Sequence, residues 1–142
     1  LIINYQMETA SITLKNKISE IILLDNFLEQ LSEKWVAVAK HTFNINLALE
    51  EAVTNVINYA FKDNNEHLIN LDFSLENREL KITITDDGIE FNPLLKEDPN
   101  TELSLEERKI GGLGIFFVKN IMDNIDYERI NNKNILTLIK KV

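Results

Sequence analysis

The apolar positions of this chain change period several times, and each change marks an element. Ser11 to Asn16 alternates weakly, as a first strand would. From Ile18 onward Ile21, Leu24, Leu28, Leu31, Trp35 and Val38 recur at three- and four-residue steps, which predicts an amphipathic helix. A second helix is expected from about Asn44, read as its N-cap, to Ala60, with Leu49, Ala52, Val53, Val56 and Ala60 on its apolar side. The Asn-rich stretch from Lys62 to Asn65 ends it. Leu68 to Leu75 then alternates with period two, Glu76 to Glu79 turns, and Leu80 to Thr85 returns, so the pair reads as a hairpin. After a long irregular segment to Ile110, Ile115 to Met122 predicts a third helix. Ile125 to Ile130 and Ile135 to Ile139 form a closing hairpin around the turn Asn131 to Asn134. Elements in this order predict an α+β fold, a two-layer α/β sandwich with helices on one face of a mixed, mainly antiparallel sheet.

Bulk properties narrow the choice of function. The 142 residues make one domain, 1–142. No apolar run approaches the roughly 18 residues needed to span a bilayer, and the first residues lack the plan of a signal peptide. Cysteine is absent, which suits a cytoplasmic protein and removes thiolate metal sites. The chain opens on Leu1 rather than methionine, as a piece of a longer polypeptide would. A net charge of -8 repels phosphate backbones and anionic lipid, so neither direct nucleic-acid binding nor a membrane partner is expected. A nucleotide bound here would need Mg²⁺, backbone N–H groups and a few placed cations to overcome that background.

Glycine usage is the sharper clue. Average composition would give roughly ten in a chain this long; there are four, Gly88, Gly111, Gly112 and Gly114, with both prolines, Pro93 and Pro99, between them. Glycine is kept for two places, just after a strand and just before a helix, while other turns are made with Asn. A surface loop hinged at both ends would explain this, and so would a functional lid. The second cluster leads directly into a helix, where exposed N–H groups make a ready anion site.

Two further motifs flank that loop. In EEAVTN, Glu51 and Asn55 are four apart and share a helix face, with Asn58 and Lys62 continuing the polar stripe. A solvated face is the plainer account of such a pattern. Glu50 competes with Glu51, but its partner four residues on is Thr54, a poorer metal ligand. In ITITDDGIEFNP, Asp86 closes a strand and Gly88 follows two residues later. This is either an Asp-Gly turn or a carboxylate placed to accept from an exocyclic amine, with Gly88 letting the backbone approach a flat ring.

In the order Glu51/Asn55, Asp86/Gly88, Gly112/Gly114, these motifs resemble the GHKL superfamily of ATPases and kinases over nearly the whole chain. The resemblance implies ATP and Mg²⁺ as cofactors, with Glu51 as general base and Asn55 as a Mg²⁺ ligand through its side-chain oxygen. Asn58, on the same stripe, is included in the nucleotide site. Asp86 would bind the adenine amine and Gly88 would lie beneath the ring. Gly111, Gly112 and Gly114 would cradle the phosphates, Thr137 would reach the adenine through a water, and 89–110 would be the ATP lid. Two departures stand out. Glu90 occupies the place of a second glycine in the first glycine box. Ile110 abuts Gly111 where related kinases often have an arginine, leaving Arg108 and Lys109 as the nearest cations.

Within the superfamily, a carboxylate at Glu51 suits transfer to a hydroxyl, which must lose a proton. The only histidines, His41 and His67, lie in predicted breaks, so no upstream helix carries an acceptor histidine. The chain resembles the anti-sigma regulatory factors of the RsbW type. That resemblance implies a protein serine/threonine kinase that dimerises, sequesters a sigma factor and phosphorylates a STAS-domain anti-anti-sigma factor. A nucleotide-gated binding module without chemistry, or a catalytic fragment of a larger signalling protein, are the alternatives.

Overall fold

The computed structural model describes residues 7–95 and 112–142. Five strands, β1 (Glu8–Lys15), β2 (Leu68–Glu76), β3 (Glu79–Asp86), β4 (Asn124–Ile130) and β5 (Lys133–Lys141), form one sheet in the order β1-β2-β3-β5-β4. Among the described residues every pairing is antiparallel, so the expected two-layer sandwich holds with a sheet that is antiparallel there rather than mixed. Helices α1 (Ile21–Lys34), α2 (Val36–Ala39), α3 (Thr42–Tyr59) and α4 (Gly112–Ile121) supply the other layer. Among the described residues no helix is long and apolar enough to cross a membrane.

Strand parity decides which side chains meet the helices. One row across the sheet is Leu14, Ile69, Asp86, Asn134 and Arg129; the next is Ile12, Leu71, Ile84, Leu136 and Tyr127. Leu14, Ile69, Leu71, Ile82, Ile84 and Leu138 are buried beneath Leu24 and Leu28 of α1, Ile45, Leu49 and Val53 of α3, and Ile115 and Val118 of α4. Asp86 and Asn134 are therefore polar residues set in an apolar face, a placement that costs free energy unless both are hydrogen-bonded. The opposite face carries Ser11, Asp72, Thr83 and Thr137 in register and is far more polar.

Both hairpins turn on two residues of positive φ, Asn77 and Arg78 in one, Asn131 and Asn132 in the other. Such turns match the twist of the flanking strands, and asparagine tolerates the left-handed region better than most residues. This is how the sheet is built without glycine in its hairpins.

Two expectations need correction. The first helix does not run through Trp35: there ψ is 85 and the helix stops, the indole is buried, and α2 follows as a separate turn. Asn44 is not the N-cap of α3, which begins at Thr42 with no side-chain cap at His41. The Thr42 hydroxyl donates to Ala39 O at 3.1 Å and meets Ser32 Oγ at 2.6 Å, tying α3 to α1 and α2. An N-terminus held by such tertiary bonds lacks the local signal that marks a helix start.

Candidate functional site

Helix α3 and the start of α4 cross where α4 has no side chain. A Cβ built on Gly114 would lie 2.6 Å from Glu51 Oε2 and 3.7 Å from Asn55 Nδ2. Glu51 and Asn55, one turn apart, thus both face the first turn of α4, where unpaired N–H groups and the helix dipole favour an anion. Asn55 is 5% exposed, and its Nδ2 is one of three buried side-chain atoms without a partner among the described residues. An unsatisfied buried amide is costly, so it marks a place that a polar ligand could complete.

Glu50 is separated from this arrangement by its partner. It pairs with Asp25 of α1, and that hydrogen bond, with burial and the charges of Asp25 and Glu51, pushes its carboxyl up to about 7. Its proton is bound more tightly in the folded chain than in the unfolded one. Ionisation therefore opposes folding, with no penalty below about pH 4.5 and a growing one as pH rises to about 7. Thermal stability should fall across that window, and Glu50→Gln should flatten the slope; an equally steep slope in the variant would remove Glu50 as its origin.

The second cluster lies at the end of β3. Asp86 is 4% exposed, and its Oδ1 accepts from the backbone N–H of Gly88 at 2.9 Å and from Asn134 Nδ2 at 2.9 Å. Oδ2 takes part in neither bond. Burial raises the pKa of Asp86, and these two donors pull it back. Arg129 Nη1 donates to Gly88 O at 2.8 Å, and Ile89 N–H donates to Ala60 O at 2.8 Å, so the loop after β3 is fixed to both β4 and the end of α3.

Gly88 has a reason of its own. An added Cβ would fall 2.4 Å from Ala60 O and 2.8 Å from Ala60 Cβ. What approaches this glycine is the end of α3. Because backbone cannot swing aside, Gly88→Ala should destabilise the fold by roughly 1–3 kcal/mol, read as a lower denaturant midpoint at unchanged slope. A variant as stable as the parent would contradict this packing.

A narrow cleft lies beside Asp86, lined by Ala52 and Val56 of α3, Ile115 of α4, and Ile84, Asp86 and Asn134 of the sheet. Phe91 and Pro93 narrow it, leaving free room for little more than one water molecule. Phe91 stacks on Tyr59 with ring centroids 5.6 Å apart.

The structure thus brings Glu51, Asn55 and Gly114 together at the head of α4, which Gly112 begins, while Asp86 lines a cleft whose walls include Ala52, Val56 and Ile115, the chain neighbours of those three residues. Asn58 is exposed and lies outside this arrangement. Thr137, expected to reach the adenine through a water, pairs with Thr83 on the face of the sheet opposite to that of Asp86 and Asn134. Arg108, Lys109 and Gly111 lie outside the described residues, as does the lid beyond Leu95. Asn134, with Tyr127 and Arg129 beside it, is what the sequence reading missed. The available signal was parity, since Asn134 shares the stripe of Leu136 and Leu138.

No group of three or more His, Asp or Glu among the described residues could hold a metal. A magnesium ion suits such a site all the same, since it commonly keeps its waters and takes few protein ligands beside phosphate oxygens. The amide oxygen of Asn55 is a donor of the right hardness, and the missing Cβ at Gly114 lets the Glu51 carboxylate and the Asn55 amide lie against the start of α4.

Comparison with known proteins shows the family. The family model of the histidine kinase-like ATPase domain matches residues 16–140. The chain is 29% identical over 108 residues to the serine/threonine-protein kinase BtrW of Bordetella bronchiseptica, covering 76% of this chain and 75% of that protein. It is 31% identical over 94 residues to the serine-protein kinase RsbW of Oceanobacillus iheyensis, covering 63% and 58%. With RsbW of Staphylococcus epidermidis it shares 33% over 84 residues, covering 56% and 53%, so the chain spans little more than half the length of these RsbW relatives.

Proposed function

This chain belongs to the histidine kinase-like ATPase domain family, and from that premise we propose that it is a Mg-ATP-dependent protein serine kinase of the anti-sigma type. The observation that carries the reading is the meeting of Glu51 and Asn55 with the side-chain-free start of α4, beside a cleft lined by their neighbours Ala52 and Val56 and by the buried Asp86. Mg-ATP, when bound, supplies the phosphoryl group and the metal that neutralises its charge. Asp86 accepts from the adenine amine through Oδ2 once Phe91 and Pro93 make way. Asn55 offers its oxygen to the metal, and the N-terminus of α4 takes the phosphates. Glu51 accepts the proton of the attacking serine hydroxyl as the new P–O bond forms and ADP leaves.

The names of the relatives reach as far as a serine kinase, and the resemblance to the anti-sigma regulatory factors extends the proposal to partners. The phosphoryl acceptor is a serine of a STAS-domain anti-anti-sigma factor. A sigma factor is the protein held in its place, and the working unit is a homodimer in the cytoplasm. Incubating the chain with labelled Mg-ATP and a STAS-domain protein encoded nearby should label a serine on that protein. Ile110, standing where an arginine is common, favours a second reading: a nucleotide-gated binder without chemistry. ATP-dependent complex formation with no phosphorylated product would select it.

Asp86→Asn tests the base end separately. Loss of a charge-assisted hydrogen bond is worth about 1.5–3 kcal/mol, or roughly ten- to a hundredfold in affinity. ATP titration that gives an unchanged Kd would detach Asp86 from the adenine.

A further inference from the structure

Asn134 is the most thoroughly bonded side chain at the base end of the cleft. Its Nδ2 donates to Asp86 Oδ1 at 2.9 Å and to Ile89 O at 2.7 Å. Its Oδ1 accepts from Phe91 N–H at 3.1 Å, from the Tyr127 hydroxyl at 2.5 Å and from Arg129 Nη1 at 3.1 Å. Both amide hydrogens are used, and the oxygen faces three donors. A flipped amide would set its N–H groups against those donors and its oxygen against two acceptors, so the orientation is determined by the surroundings.

That orientation has a chemical consequence at Asp86. A carboxyl 4% exposed tends to hold a proton. A donor fixed on Oδ1 favours the ionised form and commits that oxygen, leaving Oδ2 as a pure acceptor. We propose that Asn134 is a positioning residue for base selection: it keeps Asp86 an acceptor toward the cleft, so that a purine with a 6-amino group is taken and one with a 6-oxo group is refused. The inference rests on the nucleotide reading given above. Burial raises the pKa of Asp86 and the Asn134 amide is the largest influence lowering it. Without that amide the protonated form gains ground, and its O–H would match a 6-oxo group instead.

The test compares the Kd of ATP with that of inosine triphosphate between pH 5.5 and 8, for the unaltered chain, Asn134→Ala and Asn134→Asp, with folding followed by circular dichroism. The unaltered chain should prefer ATP throughout. Asn134→Ala should lower the preference about tenfold, the worth of one charge-assisted hydrogen bond, and further in acid. Asn134→Asp keeps the shape and the oxygen bonded by Phe91, Tyr127 and Arg129, and serves also if the alanine variant does not fold. Like the alanine variant it should favour ATP least in acid, and because two neighbouring carboxyls hold a proton more tightly than one, that loss should persist to higher pH than in Asn134→Ala. A folded variant with the parental ratio at every pH would overturn the proposal and leave Asn134 a purely structural residue. Equal binding of both nucleotides by the unaltered chain would overturn it too, while sparing the nucleotide site. Failure to bind either nucleotide would remove the nucleotide reading itself, and this inference with it.

Discussion

Glu51→Gln should reduce phosphoryl transfer to a serine hydroxyl by about 10²–10⁴-fold, the span that a positioned general base contributes, while changing the Kd for ATP little. Glutamine matches glutamate in length and keeps the contacts of the side chain, but it cannot take a proton. Single-turnover transfer and equilibrium nucleotide binding, measured on the same preparation, separate the two effects. Full transfer by the variant would move the base elsewhere on the molecule. Glu50 is a poor substitute for that role, since its carboxyl is engaged with Asp25 on α1.

Gly114→Ala should have the second-largest effect, and by a different route. The new methyl would lie 2.6 Å from Glu51 Oε2, yet the obstacle is the tip of a flexible side chain. Glu51 can rotate away, so the fold should survive with little change in Tm. The cost falls on geometry: a displacement of about 1 Å at a catalytic group can lower the rate about 10²-fold. Transfer should therefore drop sharply in a protein that melts nearly as before. A variant that instead unfolds would show that the two helices meet more tightly than a single side-chain contact, and one that transfers normally would dissociate Gly114 from the base. The contrast with Gly88→Ala is informative, because there the obstacle is the backbone carbonyl of Ala60 and the loss should appear as stability.

Much of this arrangement was legible along the chain because it is local. The period of two in Leu68 to Leu75 places Ile69, Leu71 and Phe73 inward, and one turn of helix carries Glu51 to Asn55. The sparing use of glycine pointed to Gly88 and Gly114, both of which stand where another element presses close. What escaped detection depends on tertiary context. Nothing near Trp35 signals a helix break, since the residue leaves the helix with its indole buried in the core. Thr42 begins α3 by bonding to Ala39 and Ser32, residues of two other helices. Asn134 was read as part of a four-residue turn. In the structure the turn is Asn131 and Asn132 alone, β5 begins at Lys133, and Asn134 is already inside. Thr137, three residues on, falls on the outer face.

The brevity of that hairpin turn ties two properties that are free to vary independently in many proteins. A slip of the pairing register by one residue at this hairpin would rotate every later β5 side chain to the other face. Leu136 and Leu138 would leave the interior in the same step that took Asn134 from Asp86. A residue gained or lost in the turn is therefore tolerated only where a longer loop or a bulge absorbs it and leaves that pairing in place, because the same register seats the core and sets the ligand-facing amide.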